Sequence, residues 1–345
     1  MRKIHVDLEK QVDESYDIHL SSGFIEDTLS HYEDAFFLAD STVYAFYGEL
    51  FQGRRTFVLE ASEKAKSIES VISVLEFLHD GGCRRDGKLV AVGGGITGDL
   101  GGFVASLYMR GIDYIQVPTT LLSMVDSSVG GKTGVNFLAS KNNIGAFHQP
   151  KAVYIDTDFL KTLDDDEFLN GMAEVVKYGA IFDADFFDML LEKKAEVIAR
   201  NQDVLLEIIT ECCRMKAEVV KEDEKEQGVR KLLNFGHTFG HAIETDSGFA
   251  VKHGFGVATG MYLENMFGLK ESYCSEDSVK KLSEILDAYG FDKEYKINDK
   301  DVFFAALSAD KKADKKGLTV VFASEIGKAE WVSGIKADLV KDFFC

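Results

Sequence analysis

The sequence is poor in cysteine, in proline and in long apolar runs, and basic charge is the minority sign. Its five cysteines are Cys83, Cys212, Cys213, Cys274 and Cys345, an odd number with no C-x-x-C spacing. Neither a disulfide framework nor a thiolate zinc site is expected, and the pattern suits a reducing cytoplasm. Cys212 and Cys213 fall in a helical pattern and read as packing residues. Only Pro118 and Pro150 are prolines, and no low-complexity tract or internal repeat is visible. No apolar span approaches membrane length, and the opening Met1-Arg2-Lys3-Ile4-His5-Val6-Asp7 has no signal-peptide character. Lysine and arginine number 39 against 58 acidic residues, a net charge of -19. Such a field repels nucleic acid and anionic membranes, so neither is expected as a partner. An anionic substrate would need a local basic pocket within this acidic surface.

With 46% hydrophobic residues over 345, a sizeable core can form, and the length favours two domains. Short apolar runs at 36–39, 56–59, 89–92 and 114–117 each end at a turn or a polar residue. Helix-length segments such as Ser67 to His79 lie between them. This alternation predicts a largely parallel α/β sheet. After Val153-Tyr154-Ile155-Asp156 the pattern becomes helical, from Asp165 to about Lys221 and again at 237–247, 256–272 and 275–289. One late strand is expected at 316–322. The boundary falls near 156–160, and a cleft between the two halves is the default place for a substrate.

The strand at 88–92 runs into Gly93-Gly94-Gly95-Ile96-Thr97-Gly98-Asp99, where Gly93, Gly95 and Gly98 satisfy G-x-G-x-x-G. Such a turn lets a backbone approach a pyrophosphate at a helix N-terminus. A tight turn with close helix–strand packing would read the same way. The acidic ribose ligand of an ordinary Rossmann site is not evident, Asp113 being the nearest candidate, so a variant dinucleotide site fits better. Asp126-Ser127-Ser128-Val129-Gly130-Gly131-Lys132-Thr133 imitates a phosphate-binding loop but has Asp126 where the first glycine belongs. That argues against an NTPase. It leaves a flexible loop carrying Lys132, followed by Lys141 and Asn142, which could converge on an anion or be solvated surface groups.

Four histidines, His148, His237, His241 and His253, are candidates for a metal site. His237 and His241 share a helix face at i, i+4, and His253 follows twelve residues later. Glu174 and Lys177 share a face of an apolar helix, where a charge needs a partner. Imidazoles with one carboxylate suit a catalytic divalent ion, although satisfied core histidines are the alternative.

Taken in order, these stretches resemble the dehydroquinate synthase family. The matching runs are GGGITGDLGGFVAS from Gly93, YMRGIDYIQVPTTLLSMVDSSVGGKTGVN from Tyr108 and KNNIGAFHQP from Lys141. GMAEVVKYG from Gly171, KAEVVKE from Lys216, LLNFGHTFGHAIE from Leu232 and Asp310-Lys311-Lys312 follow. The resemblance implies an NAD-binding Rossmann-like α/β domain over 1–157 and a mainly helical metal- and substrate-binding domain over 158–345. It implies Glu174, His237 and His253 as ligands of one divalent ion, zinc or cobalt. His241, Asp126, Lys132, Asn142, Lys177, Lys216, Arg230, Asn234 and Lys311 match substrate positions. Arg110 matches an arginine that reaches the substrate across a homodimer interface. Asp40, Glu63, Lys66, Gly94, Gly95, Ile96, Asp99, Thr119, Thr120, Lys132 and Lys141 match the NAD site. Phe255 departs from the family pattern, which has Glu after the metal-binding His-Gly, and the lysine pair at 311–312 recurs at 315–316.

The implied reaction converts 3-deoxy-D-arabino-heptulosonate 7-phosphate to 3-dehydroquinate and phosphate, a cytoplasmic step toward aromatic amino acids. Another sugar phosphate cyclase, a polyol or glycerol-phosphate dehydrogenase, and a non-catalytic NAD-binding protein are the competing expectations. Lys216, Arg230, Asn234 and His241 speak against the first of them.

Overall fold

A computed structural model describes residues 13–60, 62–138, 140–309 and 317–344. Its first half is built on six parallel strands: β1 (Asp17–Ser21), β2 (Phe36–Asp40), β3 (Arg55–Leu59), β4 (Lys88–Gly93), β5 (Asp113–Pro118) and β8 (Ala152–Asp156), the last following the hairpin strands β6 (Lys132–Phe137) and β7 (Ser140–Phe147). The sheet order is β1-β8-β5-β4-β2-β3. The central strands read as unbroken apolar runs because both faces are covered: all of β2 is buried, as is β4 from Leu89 onward. The helix Gly95–Leu107 lies so close to the sheet that a Cβ at Gly98 would collide with the Gln116 side chain.

The strands expected from the apolar runs all form. β1 was not anticipated, because five residues at a sheet edge, none of them fully buried, carry too little pattern. The expected flexible loop around Lys132 is instead the antiparallel hairpin β6–β7, with Lys132 paired to Phe147 at its base and Phe137 to Ser140 near its tip. Lys132 and Lys141 therefore sit toward opposite ends of the hairpin rather than on one loop.

From residue 157 the chain is mainly helical. The helix Asp165–Phe182 is buried almost continuously from Phe168 to Ile181 and is the axis of this half. Gln202–Glu222, His253–Lys270 and Glu276–Tyr289 pack around it, and His237–Asp246 packs against His253–Lys270. The late strand spans Leu318–Glu325 (β9) and pairs antiparallel with β10 (Lys328–Ile335), a second strand that its exposed, mixed residues concealed. Among the described residues no helix is long and apolar enough to cross a membrane. The four described cysteines are unpaired, with Cys212 and Cys213 buried as expected.

The topology sorts the expected functional residues by sheet edge. Parallel register brings Asp40, the Gly93–Gly95 turn and Thr119–Thr120 to the carboxyl ends of β2, β4 and β5, where open α/β sheets bind ligands. Asp113 pairs with Lys88 at the opposite edge, so it is no ribose ligand for this turn. Arg110 lies at that same far edge, exposed, in a turn where both Met109 and Arg110 have positive φ.

Candidate active site

Two helix starts and one helix middle meet at the centre of the site. Glu174 stands fully buried in the middle of Asp165–Phe182. One turn earlier on that face, Asn170 Oδ1 accepts from Gly254 N at 2.6 Å and holds the start of the His253 helix against it. The His237 helix is fixed by the buried Glu264, whose carboxylate accepts from Gly236 N at 2.7 Å and Phe239 N at 3.0 Å. An acid is favoured there by the free N–H groups of a helix N-terminus. The two helices touch backbone to backbone: a Cβ at Gly260 would collide with the Gly236 carbonyl, and one at Gly240 would stand 2.9 Å from Gly256 O. This close crossing brings His237 and His253 together, ring centroids 5.2 Å apart.

Both imidazoles face Glu174 Oε1, His237 Nε2 at 3.4 Å and His253 Nε2 at 3.2 Å. His237 Nδ1 donates to Phe235 O at 3.1 Å and His253 Nδ1 to Glu244 Oε1 at 2.7 Å, which turns each Nε2 toward the Glu174 carboxylate. Glu174, His237 and His253 thus offer three ligand atoms within 4.8 Å of one another. One carboxylate and two imidazoles, each imidazole oriented by an outer hydrogen bond, fit a divalent cation. The surroundings favour positive charge here: burial disfavours a charged His253, yet Glu244 and Glu174 outweigh it and push the imidazole up to about 10, so a bound cation would take the place of the Nε2 proton.

Beside this centre lies a buried group of cations. Lys177 Nζ contacts Glu174 Oε2 and stands 4.0 Å from Asp126 Oδ1. Lys216 Nζ donates to Asp126 Oδ1 at 3.0 Å, and Tyr178 OH donates to the same oxygen at 2.7 Å. Burial would raise the Asp126 carboxyl, but Lys216 and Lys177 hold it well below the usual carboxylate range. Burial lowers the Lys216 ammonium, whereas for Lys177 the carboxylates prevail over burial and raise it. Arg230, also buried, donates to the carbonyls of Glu224 and, at 3.2 Å, Gly130. Lys132 pairs with Glu226, which also accepts from Asn234 Nδ2 at 2.6 Å.

On the sheet side, Gly94 precedes the helix Gly95–Leu107 and Ile96 lies in its first turn. Asp40 caps the next helix by accepting from Thr42 N at 2.8 Å. Lys66 and Asp99 form an ion pair at 2.6 Å, Glu63 accepts from Asn136 Nδ2 at 2.7 Å, and Asn142 N donates to Asn136 Oδ1 at 2.9 Å. Thr119 N donates to Gly93 O at 3.0 Å, and Thr120 bonds Ser123.

The structure therefore gathers Asp126, Glu174, Lys177, Lys216, His237, His241 and His253 into one cluster. His241 is exposed on its rim, 5.4 Å from the His237 ring. His148 is elsewhere, its Nε2 3.1 Å from Ile112 O, and drops out of the metal candidates. Lys311 lies outside the described residues. Sequence reasoning missed Glu244, Glu264, Asn170, Tyr178 and Glu226. For Glu244 a signal existed, since His237, His241 and Glu244 recur at i, i+4, i+7 on one helix face.

The chain has relatives among known proteins. Residues 56–170 match the family described as 3-dehydroquinate synthase N-terminal, and residues 171–313 match 3-dehydroquinate synthase C-terminal. A 3-dehydroquinate synthase of Alkaliphilus metalliredigens is 40% identical over 341 residues, 95% of this chain and 94% of that protein. Among solved structures, a 2-epi-5-epi-valiolone synthase of Streptomyces hygroscopicus with NAD+ and Zn2+ bound superposes with a TM-score of 0.89. It is 26% identical, covering 99% of this chain and 98% of that one. A 2-deoxy-scyllo-inosose synthase complexed with carbaglucose-6-phosphate, NAD+ and Co2+ gives 0.84 at 26% identity, covering 94% and 95%.

Proposed function

The chain belongs to the 3-dehydroquinate synthase family, and from that premise we propose the following reading of its site. The protein is an NAD- and divalent-metal-dependent lyase. It converts 3-deoxy-D-arabino-heptulosonate 7-phosphate to 3-dehydroquinate and phosphate, the second step of the shikimate route to aromatic amino acids. The sequence of events is oxidation at C5, β-elimination of phosphate, reduction of the same carbonyl, and ring opening with intramolecular aldol closure. Oxidation and reduction cancel, so the reaction has no net redox change.

The observation that carries the site assignment is the joining of the Glu174–His237–His253 donor set to a buried lysine cluster through Lys177. When bound, a divalent ion at this donor set supplies Lewis acidity toward substrate oxygens, and NAD+ at the glycine turn supplies reversible hydride acceptance. The protein's own groups position and neutralise. Lys132, Lys177, Lys216 and Arg230 offset the substrate's two anionic ends, the Asn234 amide hydrogen-bonds the substrate, and Asp126 holds the two buried ammonium groups in place. Asn142 and Lys311 complete the substrate set. His241, exposed on the rim, exchanges protons with the substrate hydroxyls. Asp40, Glu63, Lys66, Gly94, Gly95, Ile96, Asp99, Thr119, Thr120, Lys132 and Lys141 form the NAD site. The far-edge position of Arg110 supports its service to a second subunit, and so a homodimer; the cysteine pattern supports a cytoplasmic location.

Substrate choice tests this reading. The heptulosonate phosphate should be turned over and a heptulose phosphate lacking the carboxylate should not, because the carboxylate's charge-assisted contacts in the cationic pocket would go unmade. Preference for the carboxylate-free sugar would assign the protein to another branch of the cyclases, and NADH formation from simple polyols would make it a dehydrogenase.

A further inference from the structure

We propose that Glu244 is a positioning residue that fixes the tautomer and tilt of His253 and ties that ligand to Lys141 on the β6–β7 hairpin. The proposal rests on the reading that Glu174, His237 and His253 hold the divalent ion; no role was implied for Glu244 itself.

Glu244 is 2% exposed, and a carboxylate so buried must find partners. It has one for each oxygen. Oε1 accepts from His253 Nδ1 at 2.7 Å, and Oε2 accepts from Lys141 Nζ at 2.6 Å. The first bond puts the imidazole proton on Nδ1 and turns Nε2 toward Glu174. The second brings in the other half of the molecule, since Lys141 belongs to the hairpin while Glu244 and His253 belong to adjoining helices. Lys141 is itself held over the Phe249 ring, 4.4 Å from its centroid.

This arrangement also settles a choice between two donor sets. His241, Glu244 and His253 likewise present ligand atoms within 4.8 Å of one another, so His253 could serve a cation on either side of its ring. With Nδ1–H on one oxygen of Glu244 and an ammonium on the other, Glu244 is occupied as an acceptor of hydrogen bonds. The cation is directed to the Nε2 side, beside Glu174 and His237. Outer carboxylates that orient a ligating histidine characteristically matter to metal affinity in this way.

The test is Zn2+ affinity of the full-length protein, measured by competition with a chromogenic chelator, for the parent, E244A, E244Q and H237A. The absorption spectrum of each Co2+-loaded protein is recorded as well. E244A should bind Zn2+ about 10–100-fold more weakly, and E244Q should fall between it and the parent. Both should shift the Co2+ ligand-field bands at saturation, with circular dichroism unchanged. A fold defect would not produce that shift in a saturated, folded protein; if E244A does not fold, E244Q decides. Zn2+ binding by both Glu244 variants within about twofold of the parent, with an unaltered Co2+ spectrum, overturns the proposal. Parent-like Zn2+ binding by H237A overturns the metal reading itself, and the proposal with it.

Discussion

At the scale of residues, what matters is which charged groups are buried and what faces them. His237 is directed by Phe235 O on one nitrogen and faces Glu174 with the other, so truncating it removes the proposed metal ligand at the first turn of its helix. H237A should lose activity by about a hundredfold or more under steady-state assay, and near-parental turnover would contradict its assignment. Asp126 makes a prediction in pH. Lys216 and Lys177 overcome burial and hold its carboxyl below the ordinary value. Between its folded and unfolded values the native state binds fewer protons than the unfolded chain, so stability rises with pH across that window. The contribution is complete above about pH 4 and is lost as pH falls through the folded value. In urea melts, the stability gap between parent and D126N should therefore be wide at neutral pH and narrow below about pH 4. A gap that grows on acidification would reverse the sign assigned here. At this scale the sequence was informative where residues were close in number: the i, i+4 histidines and the i, i+3 pair Glu174–Lys177 were legible. Glu264 holding the His237 helix and Tyr178 holding Asp126 were not, because each partner lies on another element.

At the scale of elements, the crossing of the His237 and His253 helices sets the spacing of the proposed metal ligands, and glycine sets the crossing. A methyl at Gly260 must displace the Gly236 carbonyl, which begins the His237 helix. G260A should cost about 1–3 kcal/mol of stability in urea unfolding and weaken metal binding in parallel. Unchanged stability would mean that the helices can part without consequence. The buried parallel strands were readable because burial on both faces writes a continuous apolar run, as in β2 and β4. Strand β1, strand β10 and the β6–β7 hairpin were not, since edge strands and a hairpin rich in glycine and polar residues carry no such run. The Asp113 candidate failed for a related reason. Counting residues past a glycine turn cannot reveal that the chain has returned to the opposite edge of the sheet.

At the scale of the molecule, a single chain leaves Arg110 at the sheet edge opposite the glycine turn. If Arg110 serves a neighbouring site, two individually inactive variants should complement each other. In subunit-exchanged mixtures of R110A and H237A, half the dimers are mixed and each mixed dimer has one intact site. About a quarter of parental activity should then return. No recovery after verified exchange would confine each site to one chain. The central claim is that the buried donor set and the glycine turn work together in a cyclisation without net redox. The measurement that tests it most directly follows phosphate, 3-dehydroquinate and NADH together during turnover of the heptulosonate phosphate with NAD+, before and after chelation. The account predicts equal amounts of phosphate and dehydroquinate, no accumulating NADH, loss of turnover on chelation and its return with Zn2+ or Co2+. Stoichiometric NADH, or full turnover in the presence of the chelator, would contradict it.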